Sequence, residues 1–190
     1  MSHSLIEDQV FNNKDFSGDS LSKAGYEYCT FTNCKFSVAN LTEIRFIECR
    51  FEHCDLSMAK IGNTAFRDVI FVGCNMIGLR FDHCNDFMLK MKFEQCQLNV
   101  SSFFQVSLQG VSFLKCDLKE ADFTEADLFE ADFDQCDLSG AIFEHTNLEK
   151  ADFRTASNFS IDPGMNKIAE AKFSTQGLPG LLNKYNIIIE

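Results

Sequence analysis

The sequence predicts a solenoid, in which the chain coils repeatedly around a core of stacked side chains. Large apolar residues occupy every fifth position from Ile6 to Phe81, and the pattern resumes from Phe93 to Phe153. From Ala24 onward, the position two residues before each of them is small or apolar, and it holds eight of the nine cysteines, while Cys84 continues the same phase into the interruption. A repeat of this kind decides the fold before any local propensity does.

A period of five fits neither an α-helix, with ~3.6 residues per turn, nor a strand, whose side chains alternate with a period of about two. In a long helix these apolar residues would be spread around every face. The chain must therefore turn at regular intervals and hide two positions of each repeat, while the remaining positions face the solvent. This is the pattern of a solenoid whose repeats contact only their neighbours.

The composition excludes several classes of protein. The chain has 190 residues and a formal net charge of −11, with 17 Lys and Arg against 28 Asp and Glu. This balance argues against direct binding to nucleic acid or to an anionic membrane. No apolar run approaches the ~20 residues of a membrane-spanning helix, and the segment from Met1 to Asp8 is not typical of a secretory signal. An odd number of cysteines favours free thiols in a reducing compartment, so we expect a cytoplasmic protein.

Motifs for catalysis, cofactors and metals are not found in the sequence. It contains no G-x-S-x-G, Walker or G-x-G-x-x-G motif. The cysteines recur with the spacing of the repeat and not in the close C-x₂-C clusters of zinc sites. We therefore expect no enzyme activity, no cofactor and no metal, and we interpret the cysteines as small core side chains.

Three consecutive units carry a family resemblance. Ala121-Asp122-Phe123-Thr124-Glu125 and the two units that follow it, Ala126 to Glu130 and Ala131 to Gln135, resemble the A(D/N)LXX unit of pentapeptide repeat proteins. The resemblance extends over residues 6–178. It implies an all-β fold, a right-handed quadrilateral β-helix of about nine coils with ~20 residues in each coil.

Residues 20 positions apart should stack in such a coil. Phe11, Phe31, Phe51 and Phe71 then form a column, which a two-residue insertion within residues 82–92 continues as Phe93, Phe113, Phe133, Phe153 and Phe173. The same insertion aligns the cysteines on both sides of it, whereas a deletion of three residues breaks both columns. Phe87 or Met88 is the expected displaced central residue of the insertion.

The two ends of the chain differ from the repeat. We expect an N-terminal tail at residues 1–5, the repeat at 6–178 with a disturbed coil at 156–167, and a capping and dimerisation segment at 179–190. The stretch from Gly177 to Tyr185 is typical of a short helix with Pro179 in its first turn. The β-branched residues Ile187 to Ile189 favour a strand. This helix and strand would cover the open end of the solenoid.

The excess negative charge is concentrated in residues 111–153, which hold 12 acids and 3 bases. A solvated surface that keeps a Phe-rich protein soluble is one explanation. Mimicry of DNA is the other, because these acids lie within about two coils, or ~10 Å, and a duplex carries one charge per ~1.7 Å. The candidate partner-binding acids are Asp117, Glu120, Asp122, Glu125, Asp127, Glu130, Asp132, Asp137 and Glu144.

A second resemblance lies in the C-terminal segment. The stretch from Asn158 to Ile168, with the Leu-rich and Ile-rich residues after it, resembles the end of the microcin B17 immunity protein and of related quinolone-resistance members of the family. In those proteins this module caps the coil and forms a head-to-head dimer. The resemblance therefore implies a homodimer through this end. The candidate dimerisation residues are Leu178, Leu181, Leu182, Tyr185, Ile187, Ile188 and Ile189.

The same resemblance implies a partner. Those proteins bind DNA gyrase and topoisomerase IV and protect them from quinolones or peptide toxins, so we expect a DNA mimic that binds one of these enzymes. Several quinolone-resistance members carry long loops, whereas this chain has only the short insertion within residues 82–92. A scaffold or interaction module with a different protein partner is therefore the alternative, and an enzyme is the least supported interpretation.

Overall fold

The computed structural model describes residues 4–18 and 21–188 of the chain. Its strands are β1 (Leu5–Glu7), β2 (Val10–Asn12), β3 (Gly25–Glu27), β4 (Thr30–Thr32), β5 (Arg45–Ile47), β6 (Arg50–Glu52), β7 (Ala65–Arg67), β8 (Val69–Val72), β9 (Met91–Glu94) and β10 (Ser112–Leu114). Its 3₁₀ helices are Phe81–His83, Thr175–Leu181 and Asn183–Tyr185. In this described part of the chain, no helix has the length and apolarity needed to cross a membrane.

Parallel pairing between successive coils builds the solenoid. One sheet has the order β1-β3-β5-β7 and the other β2-β4-β6-β8-β9-β10. Each residue of a strand lies opposite the equivalent residue of the next coil, as where Phe31 lies opposite Phe51. Single parallel bridges continue this register where no strand forms, as between Asp122 and Ile142. The predicted all-β solenoid is confirmed.

Each coil has four sides, which we number in chain order. Side 1 contains Tyr26 as its central core residue, side 2 Phe31, side 3 Phe36 and side 4 Leu41, together with the residues stacked on them. All four of these side chains are fully buried.

The predicted column of phenylalanines on side 2 is confirmed. Its rings stack from Phe11 to Phe173 with centroids 4.7–5.5 Å apart and planes within 21° of parallel. A second stack on side 4 runs from Phe81 to Phe143 with centroids 4.6–5.1 Å apart. These spacings follow from the coil repeat, because successive strands lie ~4.8 Å apart.

The corners of the coil are formed by residues with left-handed backbone. At one corner Ala39 donates its backbone N–H to the carbonyl of Phe36 (2.9 Å), and the turn between them contains Val38 with φ of 53°. The corner N–H groups also bond between coils, as where Asn33 donates to Glu52 (2.9 Å). Left-handed backbone costs a non-glycine residue about 1–2 kcal/mol, and these bonds between coils help to offset that cost.

The small inward positions also supply hydrogen-bond donors. The Cys54 thiol donates to the carbonyl of Phe31 (3.3 Å), and the Thr64 and Thr146 hydroxyls donate to the carbonyls of residues 41 and 123 at 2.8 Å. These carbonyls belong to buried central residues, which need hydrogen-bond partners because water does not reach them. Cysteine and threonine at these positions therefore fill the core and also satisfy buried carbonyl groups.

All nine cysteines are free thiols. Eight are buried and Cys84, next to the insertion, is partly buried. Burial raises the pKa of Cys49 to about 12, so this thiol stays protonated at neutral pH. Because the thiolate is the reactive form, the Cys49 thiol is expected to be chemically inert in the folded protein.

The register changes at the insertion. Ala65 lies opposite Asn85, as the register of the earlier coils requires. Val69 lies opposite Met91. The register of the earlier coils would pair it with residue 89, two positions earlier in the chain. The five residues 86–90 therefore span the distance that residues 66–68 span in the coil below, and the predicted insertion lies here.

Leu89 is the residue of the insertion that packs, partly buried, against the core. Phe87 and Met88 are 63% and 66% exposed, so the expectation that one of them is the displaced central residue is wrong. The physical reason is the local turn. Phe87 donates its N–H to the side chain of Asn85 (3.1 Å) and Leu89 donates to the carbonyl of Asp86 (3.2 Å), which turns residues 87 and 88 outward.

The predicted C-terminal helix is formed as two short 3₁₀ helices and not as one α-helix. Pro179 lies within the first of them and has no N–H to donate. Asn186 ends the second with left-handed backbone, φ 48° and ψ 39°.

The predicted strand at Ile187–Ile189 is not found in its described part. Ile187 and Ile188 pair with no strand, and Ile188 is 88% exposed, while Ile189 lies outside the described residues. Strand propensity alone is insufficient, since an isolated strand needs a partner edge.

Candidate interaction surface

The acids of residues 111–153 form a belt around the rod, which we call the acidic collar. Its members are Asp117, Glu120, Asp122, Glu125, Asp127, Glu130, Asp132, Asp134, Asp137, Glu144, Glu149 and Asp152. The register places Asp127 on side 1, Asp132 on side 2, Asp117 on side 3 and Asp122 on side 4. The predicted acids are therefore brought together along the rod axis but distributed over all four sides.

Basic residues neutralise three of the four sides in part. On side 3, Lys119 contacts Asp117 (3.1 Å) and Asp137 (3.2 Å). On side 2, Arg154 pairs with Asp152 (2.7 Å). On side 1, Lys150 pairs with Glu130 at a longer distance of 3.4 Å.

Side 4 keeps its negative charge. Among the described residues, no ion pair within 4 Å involves Asp122, Glu125 or Glu144. Glu125 accepts a hydrogen bond from the neutral amide of Gln105 (2.7 Å). Side 4 is thus the side of the collar on which none of the described acids has an ion-pair partner, whereas on the other sides acids such as Asp127 and Asp132 lack one beside neighbours that are paired.

The aspartates of the collar also hold the local backbone. The Asp122 carboxylate accepts the N–H of Thr124 (2.9 Å), and Asp137 accepts the N–H of Ser139 (3.1 Å). Asn147 does the same for Glu149 (3.2 Å), so an amide oxygen can replace the carboxylate. These aspartates were predicted as candidate partner-binding residues, and their bonds to the backbone were missed. The signal for their structural role is the frequent Asp or Asn directly before the central residue.

Local contacts shift the pKa of two collar aspartates in opposite directions. Burial raises the pKa of Asp132, and repulsion from Asp152 and Asp134 raises it further. Burial also opposes ionisation of Asp137, but hydrogen bonds from Asn158, Ser139 and Lys119 lower its pKa overall. Asp137 is therefore firmly ionised and engaged, while Asp132 is the collar acid that is easier to neutralise.

In the described part of the chain, no group of three or more His, Cys, Asp or Glu side chains is arranged to hold a metal ion. The collar aspartates are separated by the spacing of the coil and by their own bonds to the backbone. Their arrangement suits recognition of a basic surface better than coordination of an ion.

The C-terminal segment lies over the last coil. Leu181 packs, partly buried, against the core, and Leu182 is also partly buried. The other predicted dimerisation residues that the structure describes are exposed, namely Leu178, Tyr185, Ile187 and Ile188. The segment therefore covers the coil with one part of its apolar surface and leaves another part exposed.

Two buried residues of the disturbed coil were missed in the sequence. Phe159, in the disturbed coil, is 4% exposed and contacts the rings of Phe153 and Phe173 with centroids 5.6 Å away. Asn166 donates its side-chain N–H to the carbonyls of Phe143 (2.9 Å) and Asp162 (3.0 Å). The burial of Asn166 could have been inferred from its place in the repeat, because it occupies the small inward position two residues before Ile168.

Comparison with known proteins agrees with this architecture. The model of the pentapeptide repeat region matches residues 44–123, and the model of pentapeptide repeats in eight copies matches residues 116–154. Together the two models cover more than half of the chain. The chain belongs to the pentapeptide repeat family. No curated protein matches it.

Solved structures with the same fold include two of trypsin-treated QnrB1, a plasmid-mediated fluoroquinolone resistance protein. They are 21% and 22% identical to this chain, with TM-scores of 0.50, and the matches cover 98% and 97% of this chain and 100% and 99% of theirs. HetL, a pentapeptide repeat protein involved in heterocyst differentiation regulation from the cyanobacterium Nostoc sp. strain PCC 7120, is 15% identical with a TM-score of 0.53. That match covers 92% of this chain and 88% of HetL. At these identities the likeness shows the fold alone.

Proposed function

We propose that this protein is a non-enzymatic DNA mimic that binds a type II topoisomerase, DNA gyrase or topoisomerase IV, through the acidic collar in the cytoplasm. The observation that carries the proposal is the unneutralised charge of Asp122, Glu125 and Glu144 on side 4. Asp122 and Glu125 lie in one coil and Glu144 in the next, about 5 Å further along the rod. Three charges over these two coils give one per ~3 Å, which is about half the linear charge density of a duplex.

The geometry of the collar supports recognition of a DNA-binding surface. The Asp122 carboxylate is held by the N–H of Thr124, and its coil is fixed by hydrogen bonds to the coils on either side. A charged side chain that is already held in position loses little conformational freedom on binding, and this favours affinity. A rigid rod with such a side suits a basic groove that normally holds DNA.

The resemblance of the C-terminal segment to the quinolone-resistance members of the family supports the choice of partner. QnrB1, which shares the fold, is itself a fluoroquinolone resistance protein. We therefore extend the proposal to protection of the topoisomerase from quinolones or peptide toxins.

The test is a gyrase supercoiling assay with ciprofloxacin, in which the protein is titrated. The triple variant Asp122→Asn, Glu125→Gln and Glu144→Gln removes the charge of side 4 and keeps an oxygen at residue 122 to accept the N–H of Thr124. We expect gyrase binding to weaken about tenfold or more, since each exposed charge contact contributes up to ~1 kcal/mol. Added salt should weaken the wild-type complex in the same way.

A matched control neutralises three acids in the first coils, Glu7→Gln, Asp8→Asn and Glu27→Gln. This variant has the same net charge as the first, so it should bind gyrase like the wild type. If both variants lose binding equally, general charge and not side 4 is responsible, and the proposed site is wrong.

A homodimer through the C-terminal end is part of the proposal. Its support is the exposed apolar surface of Tyr185, Ile187 and Ile188, which a two-fold contact would cover. The variant Ile187→Glu with Ile188→Glu should sediment as a monomer with an unchanged β-sheet signal, while Val10→Glu at the other end should stay dimeric. A wild-type protein that sediments as a monomer at tens of micromolar would remove this part of the proposal.

The second candidate function is a scaffold with a different protein partner. The observation in its favour is the distribution of the collar over all four sides, because a DNA groove would contact only part of it. Wild-type protein that binds neither gyrase nor topoisomerase IV at low salt would favour the scaffold.

A further inference from the structure

A row of exposed apolar side chains follows the corner between sides 3 and 4 in the N-terminal half of the rod. Val38, Met58 and Val100 occupy this corner in the first, second and fourth of four successive coils and are 65%, 61% and 54% exposed. Gly78 is the intervening corner residue, and the Met58 sulfur lies only 2.5 Å from where a Cβ on Gly78 would be. Met58 therefore covers the gap, and we call the continuous row of Val38, Met58 and Val100 the apolar ridge.

The apolar ridge is unfavourable for the fold itself. Val38 and Val100 both have φ of 53°, a conformation in which a β-branched residue is a clear outlier. Among the described residues with positive φ, these two are the β-branched ones, and the other corners use mainly Asn, Asp, Glu, Gln or Gly. Because the side chains are also exposed, neither backbone preference nor core packing explains them. Strain of this kind, retained at one place, indicates a function.

The backbone N–H groups of the ridge are already engaged. Val38 donates its N–H to the carbonyl of Ser57 (3.0 Å), Met58 donates to Ile77 (3.0 Å) and Val100 donates to Lys119 (2.9 Å). A partner strand would find no free N–H at these residues, and strand addition needs free donors as well as acceptors at a sheet edge. Recognition at the ridge therefore relies on its side chains and needs an apolar surface that fits them.

Charge defines the two flanks of the ridge. On side 4, Lys60 and Arg80 follow Met58 and Gly78 by two residues. Arg80 pairs with Asp82 (2.6 Å), whereas Lys60 makes no ion pair among the described residues and supplies the free positive charge of this flank. On side 3 the flank is neutral, with Ser37 and Ser57 before the ridge residues. A partner with negative charge on one flank of an apolar stripe would therefore be complementary.

We propose that the apolar ridge is a docking site for an amphipathic α-helix of a partner protein, with acidic residues along one flank of its apolar stripe. Three coil steps of ~4.8 Å give the ridge a length of ~15 Å, which equals about ten helical residues at ~1.5 Å each. A convex row of side chains packs well into the groove between the side-chain ridges of a helix. The site is independent of the topoisomerase proposal, since it lies on other coils.

The probe is a labelled amphipathic peptide of about 14 residues, with leucines at i, i+3, i+4 and i+7 spacing and glutamates along one flank. The matched peptide carries glutamine in place of each glutamate, so that it is not attracted to the acidic collar. In fluorescence anisotropy we expect the acidic peptide to bind the full-length protein at least about tenfold more tightly than the neutral one. Lys60→Glu should reverse or abolish that preference.

The decisive variant replaces Val38, Met58 and Val100 together by asparagine, which tolerates left-handed backbone. We expect the acidic peptide to bind at least about tenfold less tightly, while the melting temperature stays the same or rises. The control variant Glu48→Asn and Gln105→Asn changes two other corners and should bind the peptide like the wild type.

Three results would overturn the proposal. The first is failure of the acidic peptide to bind the wild type. The second is a triple variant that melts several degrees lower, because the ridge would then stabilise the fold. The third is self-association of the wild type that the triple variant abolishes, since a second copy of the chain would then be the occupant of the ridge.

Discussion

Phe113→Ala is expected to lower the free energy of unfolding by about 3–5 kcal/mol, as for other large-to-small changes of buried phenylalanines. The Phe113 ring is fully buried and lies between the rings of Phe93 (5.0 Å) and Phe133 (5.3 Å). Each coil is fixed only by its neighbours, so a cavity here weakens contacts to the coils on both sides. In a protein of this size the loss corresponds to a decrease in melting temperature of about 10 °C.

The control for this prediction is Glu125→Gln on side 4 of the same region. Glu125 is exposed and makes its hydrogen bond to the Gln105 side chain, so the change should alter stability by less than about 0.5 kcal/mol. Thermal and urea unfolding of both variants give the comparison. A Phe113→Ala protein as stable as the control would mean that the stack contributes little and that the bonds between coils hold the rod.

The stacked core could be predicted because one number, the length of a coil, determines it. Once that length is known, Phe93 and Phe113 must lie above one another whatever the details of their rotamers. The same arithmetic distributes the collar aspartates over four sides. It does not indicate which acids are neutralised, since that depends on whether a long side chain such as Lys119 reaches across to Asp137 in the next coil.

The insertion could not be predicted at the level of side chains. Phe87, Met88 and Leu89 are all large and apolar, so the pattern allows any of them to face the core. The outcome depends on a turn whose bonds involve Asn85 and Asp86, and a five-residue period contains no information about that turn.

The structure of the C-terminal segment could also not be predicted from local sequence alone. The β-branched residues Ile187 and Ile188 favour a strand, but a strand forms only against a partner edge, and neither residue pairs with one. Phe159 was missed for a related reason. It lies outside the five-residue phase, and its burial follows from the path of the chain after the repeat ends.

The second large effect on stability is expected for a substitution at Gly180, where the C-terminal segment closely contacts Phe159. A Cβ on Gly180 would lie 2.5 Å from the carbonyl oxygen of Phe159 and 2.7 Å from its ring. Because a backbone oxygen cannot move away easily, Gly180→Ala should displace the Thr175–Leu181 helix and cost about 1–3 kcal/mol. Gly18→Ala is the matched control, since nothing lies within 4 Å of its added Cβ.

Two measurements separate displacement of the segment from general destabilisation. Gly180→Ala should lower the melting temperature more than Gly18→Ala, and trypsin should cleave it faster after Lys184, whose ammonium group is held by Asp162 in the wild type. The coils below residue 153 depend on their own stacked rings and should keep their circular dichroism signal. If Gly180→Ala melts and is cleaved like the control, Phe159 does not anchor the segment, and the contact between residues 159 and 180 has no part in closing this end of the solenoid.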